Sequence, residues 1–259
     1  MAEDYSTEKE NNHAEGEMSF LDHLEELRWR IIKAIIGIVV GAVICGIFID
    51  WIMNHFLLAP AQATNPPLVL INLKPYGQLV LYMEVILAGG AVISIPNIFY
   101  QFWKFIEPGL LQTEKRYISW IVFFSSFCFL GGITFAYFVM LPTALKFFAA
   151  FGTQAISNNI AINEYFSFVI SVLITAGIVF ELPMVSFFLS KIGILTPAFM
   201  RKYRRHAIVL ILLLAGILTP GPDVTSQLLL GVPLFILYEI SILIAVIARK
   251  KPAKEKIEN

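Results

Sequence analysis

The sequence predicts an all-α membrane protein whose helices cross a bilayer about six times, and three observations carry that prediction. Of the 259 residues, 58% are hydrophobic and only 15% charged, whereas soluble domains carry about a quarter charged residues. The apolar residues come in runs such as 31–49 and 228–248, near or above the roughly 18 that read as a membrane-spanning helix. Finally, the basic residues alternate between segments, as they do in a chain threaded back and forth through a membrane.

The first 22 residues are polar and acidic, without the basic region or small-residue cleavage site of a secretory signal. Residues 1–18 are therefore expected to form a disordered cytoplasmic tail. Ser19 with Asp22 fits a capping pattern, so a helix is expected to start there and to carry Glu25, Glu26, Arg28 and Arg30 into the first span. Spans are expected at 31–49, 79–100, 117–141, 165–189, 207–218 and 228–248, which makes 19–249 one six-helix domain followed by a basic tail at 250–259. Seventeen of the 19 Lys and Arg fall in alternate segments, and only Lys74 and Lys146 fall in the others. The positive-inside rule then places both termini in the cytoplasm.

The fifth span is short. Twelve residues, 207–218, cover roughly 18 Å of a hydrocarbon layer about 30 Å thick. Thr219, Pro220, Gly221 and Pro222 then turn the chain sharply into the sixth run. Pro96, Pro183 and Pro233 sit within the second, fourth and sixth spans, where each removes a backbone donor and tends to kink the helix, although membrane helices also tolerate proline without a bend. Gly37 and Gly41 form a small-xxx-small pair suited to close helix packing. Cys45 and Cys128 lie in apolar runs, where a free thiol acts as a small hydrophobe.

The sequence has no zinc-protease, serine-hydrolase or phosphate-loop motif and no cysteine pair at metal spacing, so it reads as a non-enzyme without metal or cofactor. A net charge of zero gives no bulk attraction to nucleic acid. Carboxylates are the informative groups. Glu84, Glu181 and Glu239 occur inside apolar runs, where a charge costs at least about 2.5 kcal/mol and so normally faces protein or water. Glu181 is the deepest. Glu26 and Glu114 stand just outside the membrane, and spacing alone allows bland roles: an ion pair with Arg30 for the first, a helix-dipole partner for the second.

The motif His23-Leu24-Glu25-Glu26-Leu27-Arg28 ahead of the first span resembles the HLxELR motif of the TatC family, the multispanning receptor of the twin-arginine protein translocase. The resemblance continues through Tyr100-Gln101-Phe102-Trp103-Lys104-Phe105-Ile106-Glu107-Pro108-Gly109-Leu110, Glu114-Lys115-Arg116, Phe180-Glu181-Leu182-Pro183 and Pro222-Asp223-Val224-Thr225-Ser226-Gln227. It covers roughly residues 19–249 in order.

The resemblance implies a concave, glove-like bundle of six helices in the inner membrane, with short fifth and sixth spans. It implies a receptor for Arg-Arg signal peptides of folded precursors, which gathers small single-span subunits of the TatA/TatB type and other copies of itself, with transport driven by the proton-motive force. By the same resemblance, Glu26 and Glu114 match carboxylates that receive the twin arginines, Arg28 completes the first motif, and Phe105 matches an aromatic of the same cytoplasmic loop. Glu181 and Gln227 match polar groups that meet partner helices. A proton-coupled small-molecule transporter is the alternative class, but the spans hold too few polar residues to line a substrate pocket. A purely structural scaffold would leave the cytoplasmic acids dispensable.

Overall fold

The computed structural model describes residues 2–107, 115, 118–150, 159–218 and 224–248. Its long helices are α1 (Ala2–Ile47), α2 (Gly77–Ile93), α3 (Ile95–Ile106), α4 (Ile118–Phe135), α5 (Leu141–Ala150), α6 (Ile162–Val179), α7 (Leu182–Lys191), α8 (Arg204–Leu218) and α9 (Val224–Ala248). Among the described residues, four stretches are long and apolar enough to cross a membrane: Leu21–Ile47, Ile118–Ala149, Ile162–Lys191 and Gly231–Ala248. The α2–α3 pair qualifies as a fifth, bent by 56°. These coincide with the first, third, fourth, sixth and second predicted spans. The predicted fifth span is α8, whose 15 residues are too few to cross unaided.

The start of α1 lies earlier than the sequence suggests. The helix runs from Ala2 through the acidic segment read as a tail, so Ser19 is interior to it rather than its cap. Helix-favouring Glu and Ala recur there, and no proline interrupts the 46 residues.

Two of the three span prolines mark real breaks. Pro96 stands in the first turn of α3, directly after the bend at Ser94, and Pro183 stands in the first turn of α7, after the break at Phe180 and Glu181. Proline fits a first turn because its missing N–H is unpaired there in any case. Pro233, by contrast, lies inside α9 without ending it.

The described chain divides into two compact units. The first joins Met1–Ile47 to Ile86–Phe123. Here α1 packs against α3 and the end of α2. A methyl group on Gly41 would strike the Gly90 carbonyl oxygen, and one on Gly90 would lie 2.5 Å from the Ala42 nitrogen. A methyl group on Gly37 would meet Asn97 and Ser94. Gly41 thus lets two backbones approach to contact, while Gly37 makes room for the Asn97 and Ser94 side chains.

The second unit joins Phe48–Val85 to Phe124–Asn259. Its core is centred on Leu81, Leu141, Leu145, Phe166 and Val169. After α1 the chain widens into a π-helical turn, Ile52–Leu57. The Tyr137 hydroxyl donates to the Phe56 carbonyl at 2.9 Å and the Tyr165 hydroxyl to the Leu57 carbonyl at 2.8 Å, so the end of that turn is satisfied from α6 and from the π-helical turn that follows α4. Further along, α7 lies against α9.

A small parallel sheet, absent from the sequence expectation, joins two connecting segments. Val69–Ile71 pairs with Asn159–Ala161 in the register Val69 to Asn159, Leu70 to Ile160 and Ile71 to Ala161. Each strand has only three residues, too few to show a period of two in the sequence.

Candidate functional site

The face that α1 turns toward α3 is built by helical spacing. His23, Glu26, Arg30, Lys33 and Gly37 recur every three or four residues and so share one side of α1. On α3, Asn97, Gln101 and Phe105 recur every four and share the facing side. The two rows meet in antiparallel order. The His23 ring stacks on Phe105 with centroids 4.4 Å apart. Arg30 donates from Nη2 to Glu26 Oε1 at 2.9 Å and from Nη1 to Gln101 Oε1 at 3.4 Å. Gln101 Nε2 donates to Asn97 Oδ1 at 3.3 Å, and Asn97 Nδ2 to the Lys33 carbonyl at 3.2 Å.

This arrangement brings Glu26 and Phe105 to one surface, close to the end of α1 that precedes its apolar stretch. The Glu26 side chain keeps 31% of its exposure while paired with Arg30, so a carboxylate oxygen stays open to an incoming cation. An i,i+4 ion pair of this exposure contributes only a few tenths of a kcal/mol. A ligand guanidinium could therefore replace Arg30 at small cost. Arg28, two residues on, points to another side of α1 and is exposed. Glu114 lies outside the described residues.

Glu181 occupies the break between α6 and α7. Its backbone N–H donates to the Ile178 carbonyl and its carbonyl accepts from Val185, so the chain turns there without losing both groups. The carboxyl faces the Ser125 hydroxyl and the Phe129 backbone on α4. Its Oε1 is buried, with no hydrogen-bond partner among the described residues. Close backbone approach explains the burial: a methyl group on Gly132 would meet the Ala176 carbonyl and Phe180, and one on Gly177 would meet the Phe129 ring. A buried acceptor left unpaired costs about 1–3 kcal/mol, more when charged. It is therefore a place where a donor from outside the chain would be stabilising.

Gln227, Glu84 and Glu239 are engaged within the chain. Gln227 donates to the Leu212 carbonyl at 2.8 Å and so ties α9 to α8. Glu84 accepts from the Ser167 hydroxyl at 3.0 and 3.3 Å. Glu239 pairs with Arg204 at 2.6 Å. Asp223 lies outside the described residues.

Gln101 and Asn97 do more in this site than the sequence reading assigned them. The readable signal was their spacing: two amides four residues apart, on one side of a largely apolar helix, predict a shared polar partner.

Apolar spans, a carboxylate near the start of the first of them and a carboxyl with a buried oxygen in a broken span together define a polytopic helical membrane protein. Residues 22–233 match the family model described as Sec-independent protein translocase protein (TatC). The chain is 40% identical over 234 residues to the Sec-independent protein translocase protein TatC of Carboxydothermus hydrogenoformans, covering 90% of this chain and 95% of that one. It is 38% identical over 236 residues to the protein of the same name from Aquifex aeolicus, covering 90% and 97%. A crystal structure of the twin arginine translocase receptor TatC superposes with a TM-score of 0.76 at 38% identity, covering 87% of this chain and 99% of that one. The chain belongs to the TatC family of Sec-independent protein translocase components.

Proposed function

We propose that this chain is the receptor subunit of a twin-arginine translocase in the cytoplasmic membrane, spanning it six times with both termini inside. It docks the Arg-Arg signal peptides of folded precursors at the cytoplasmic face and gathers single-span subunits of the TatA/TatB type, together with further copies of itself, into a passage driven by the proton-motive force. Glu26 and Glu114 receive the two guanidiniums, Phe105 supports the apolar part of the signal, and Arg28 borders the site. Glu181 and Gln227 meet polar groups on partner helices.

The observation that carries this reading is the state of Glu26: partly exposed, beside Phe105 through the His23 stack, and held only by an exchangeable i,i+4 pair. Two planar, charged forks need carboxylates that can accept bidentate hydrogen bonds. The basic residues support the orientation, because the segments carrying Arg28, Lys104 and Arg204 belong to the rich set of 17. The unpaired Oε1 of Glu181 supports a partner contact within the membrane.

A photocrosslinking residue at Phe105 tests the docking surface. An Arg-Arg precursor should crosslink from that position and a Lys-Lys version should crosslink much less. Equal crosslinking of the two would refute a guanidinium-reading site there.

A further inference from the structure

The short helix Pro197–Lys202 and the start of α8 form a basic, aromatic rim above an apolar helix face. Thr196 caps the short helix, its side-chain oxygen accepting from the Phe199 N–H at 3.2 Å. Tyr203 ends it, and α8 begins at Arg204. Phe199, Tyr203 and His206 then form a column, with centroids 4.5 and 5.4 Å apart. The Lys202 ammonium lies 5.9 Å from the Tyr203 ring centre. Arg201, Lys202, Arg204 and Arg205 are all exposed. Arg204 is matched by Glu239, and no ion pair is found for the other three among the described residues.

The helix below the rim is apolar on its open side. Arg205, Val209 and Leu213 follow one another at four-residue intervals and so lie in one row, with Val209 65% and Leu213 56% exposed. The helix is also short, since 15 residues span roughly 22 Å against about 30 Å of hydrocarbon. A bilayer beside it must thin locally, which draws lipid headgroups toward its ends. At the Arg205 end they meet three uncompensated cations and a column of rings of the kind that settles at headgroup depth.

We propose that this rim and the Arg205–Val209–Leu213 row bind an anionic phospholipid of the surrounding bilayer. The phosphate sits among Arg201, Lys202 and Arg205, and an acyl chain lies along Val209 and Leu213. Charge complementarity selects the headgroup, and the apolar row requires a lipid rather than free phosphate. The site is separate from the α1–α3 docking face and does not depend on the role of Glu26.

The full chain is reconstituted in vesicles of equal phosphatidylglycerol and phosphatidylcholine, and co-purified lipid is read by native mass spectrometry. Phosphatidylglycerol should be retained preferentially. Arg205→Gln and Lys202→Gln should each weaken that retention about fivefold, in line with the contribution of one basic residue near an anionic surface. Removing one charge leaves the remaining topology signal in place. Val209→Asn should weaken retention as well, and millimolar inorganic phosphate should not displace the lipid. Equal retention of the two lipids by the parent, or unchanged retention in both charge variants, overturns the proposal. So does displacement by phosphate, which would mark a bare anion site, or protection of Val209 by a co-purifying protein instead of lipid, which would mark a partner helix.

Discussion

Arg30 is shared between two helices: it holds Glu26 one turn back on α1 at 2.9 Å and reaches Gln101 on α3 at 3.4 Å. The residue that pairs with the candidate docking carboxylate is thus also a strut between α1 and α3. Replacing Gln101, which is 8% exposed, by Leu should lower stability by about 1 kcal/mol, since it strands Arg30 and Asn97 together. Because Gln101 and Asn97 act as one chain of hydrogen bonds, the Asn97→Leu/Gln101→Leu double variant should cost less than the sum of the two singles. Thermal unfolding in detergent measures this. Additive losses would show that the amides act separately.

Close packing of α1 on α2 makes a second prediction. Gly90→Ala should destabilise the first unit by about 1–3 kcal/mol, because the new methyl would lie 2.5 Å from a backbone nitrogen that cannot retreat. Gly131→Ala, where nothing lies within 4 Å of the added methyl, is the matched control and should be close to neutral. Equal effects at the two positions would contradict the account of the interface.

Local patterns were legible in the sequence, and distant pairings were not. The apolar runs that became Leu21–Ile47 and Ile162–Lys191 needed only length and composition. The breaks at Pro96 and Pro183 followed from a missing backbone donor, and Gly37 and Gly41 from their spacing. The Arg30–Gln101 contact joins residues 71 apart in sequence, and the Val69–Asn159 pairing joins two three-residue strands. No local period encodes either one. Of the proposed docking residues, Glu26 and Phe105 share a surface, while Arg28 lies on another side of its helix. Motif membership names residues that are adjacent in sequence, but a helix turns neighbours away from each other.

Orientation is tested by single cysteines placed at Lys74, Lys146, Lys104 and Arg204. The basic-residue distribution predicts that an impermeant thiol reagent added to intact cells labels the first two and spares the last two. Labelling at position 204 from outside would invert the proposed topology.

For Glu181, the unpaired Oε1 in the α6–α7 break predicts a role in assembly rather than in docking. Glu181→Ala should leave signal-peptide binding unchanged and reduce crosslinking to single-span partner subunits, together with transport. Glu181→Gln, which keeps the shape and one acceptor, should retain more of both. Partner crosslinking and transport at parental levels in Glu181→Ala would show that the carboxyl serves no partner.

Guanidinium recognition by Glu26 is what distinguishes a docking carboxylate from a simple ion-pair partner. Loss of one charge-assisted hydrogen bond costs about 1.5–3 kcal/mol, or roughly a ten- to hundredfold loss of affinity. A carboxylate acting only as the partner of Arg30 would show under 1 kcal/mol and no dependence on the peptide's arginines. The direct measurement is equilibrium binding of Arg-Arg and Lys-Lys signal peptides to the parent, Glu26→Ala, Glu114→Ala and the double variant. The parent should prefer Arg-Arg, because lysine lacks the planar fork; each single variant should narrow the preference, and the double variant should lose it. A double variant that still separates the two peptides as well as the parent does would contradict recognition by these carboxylates.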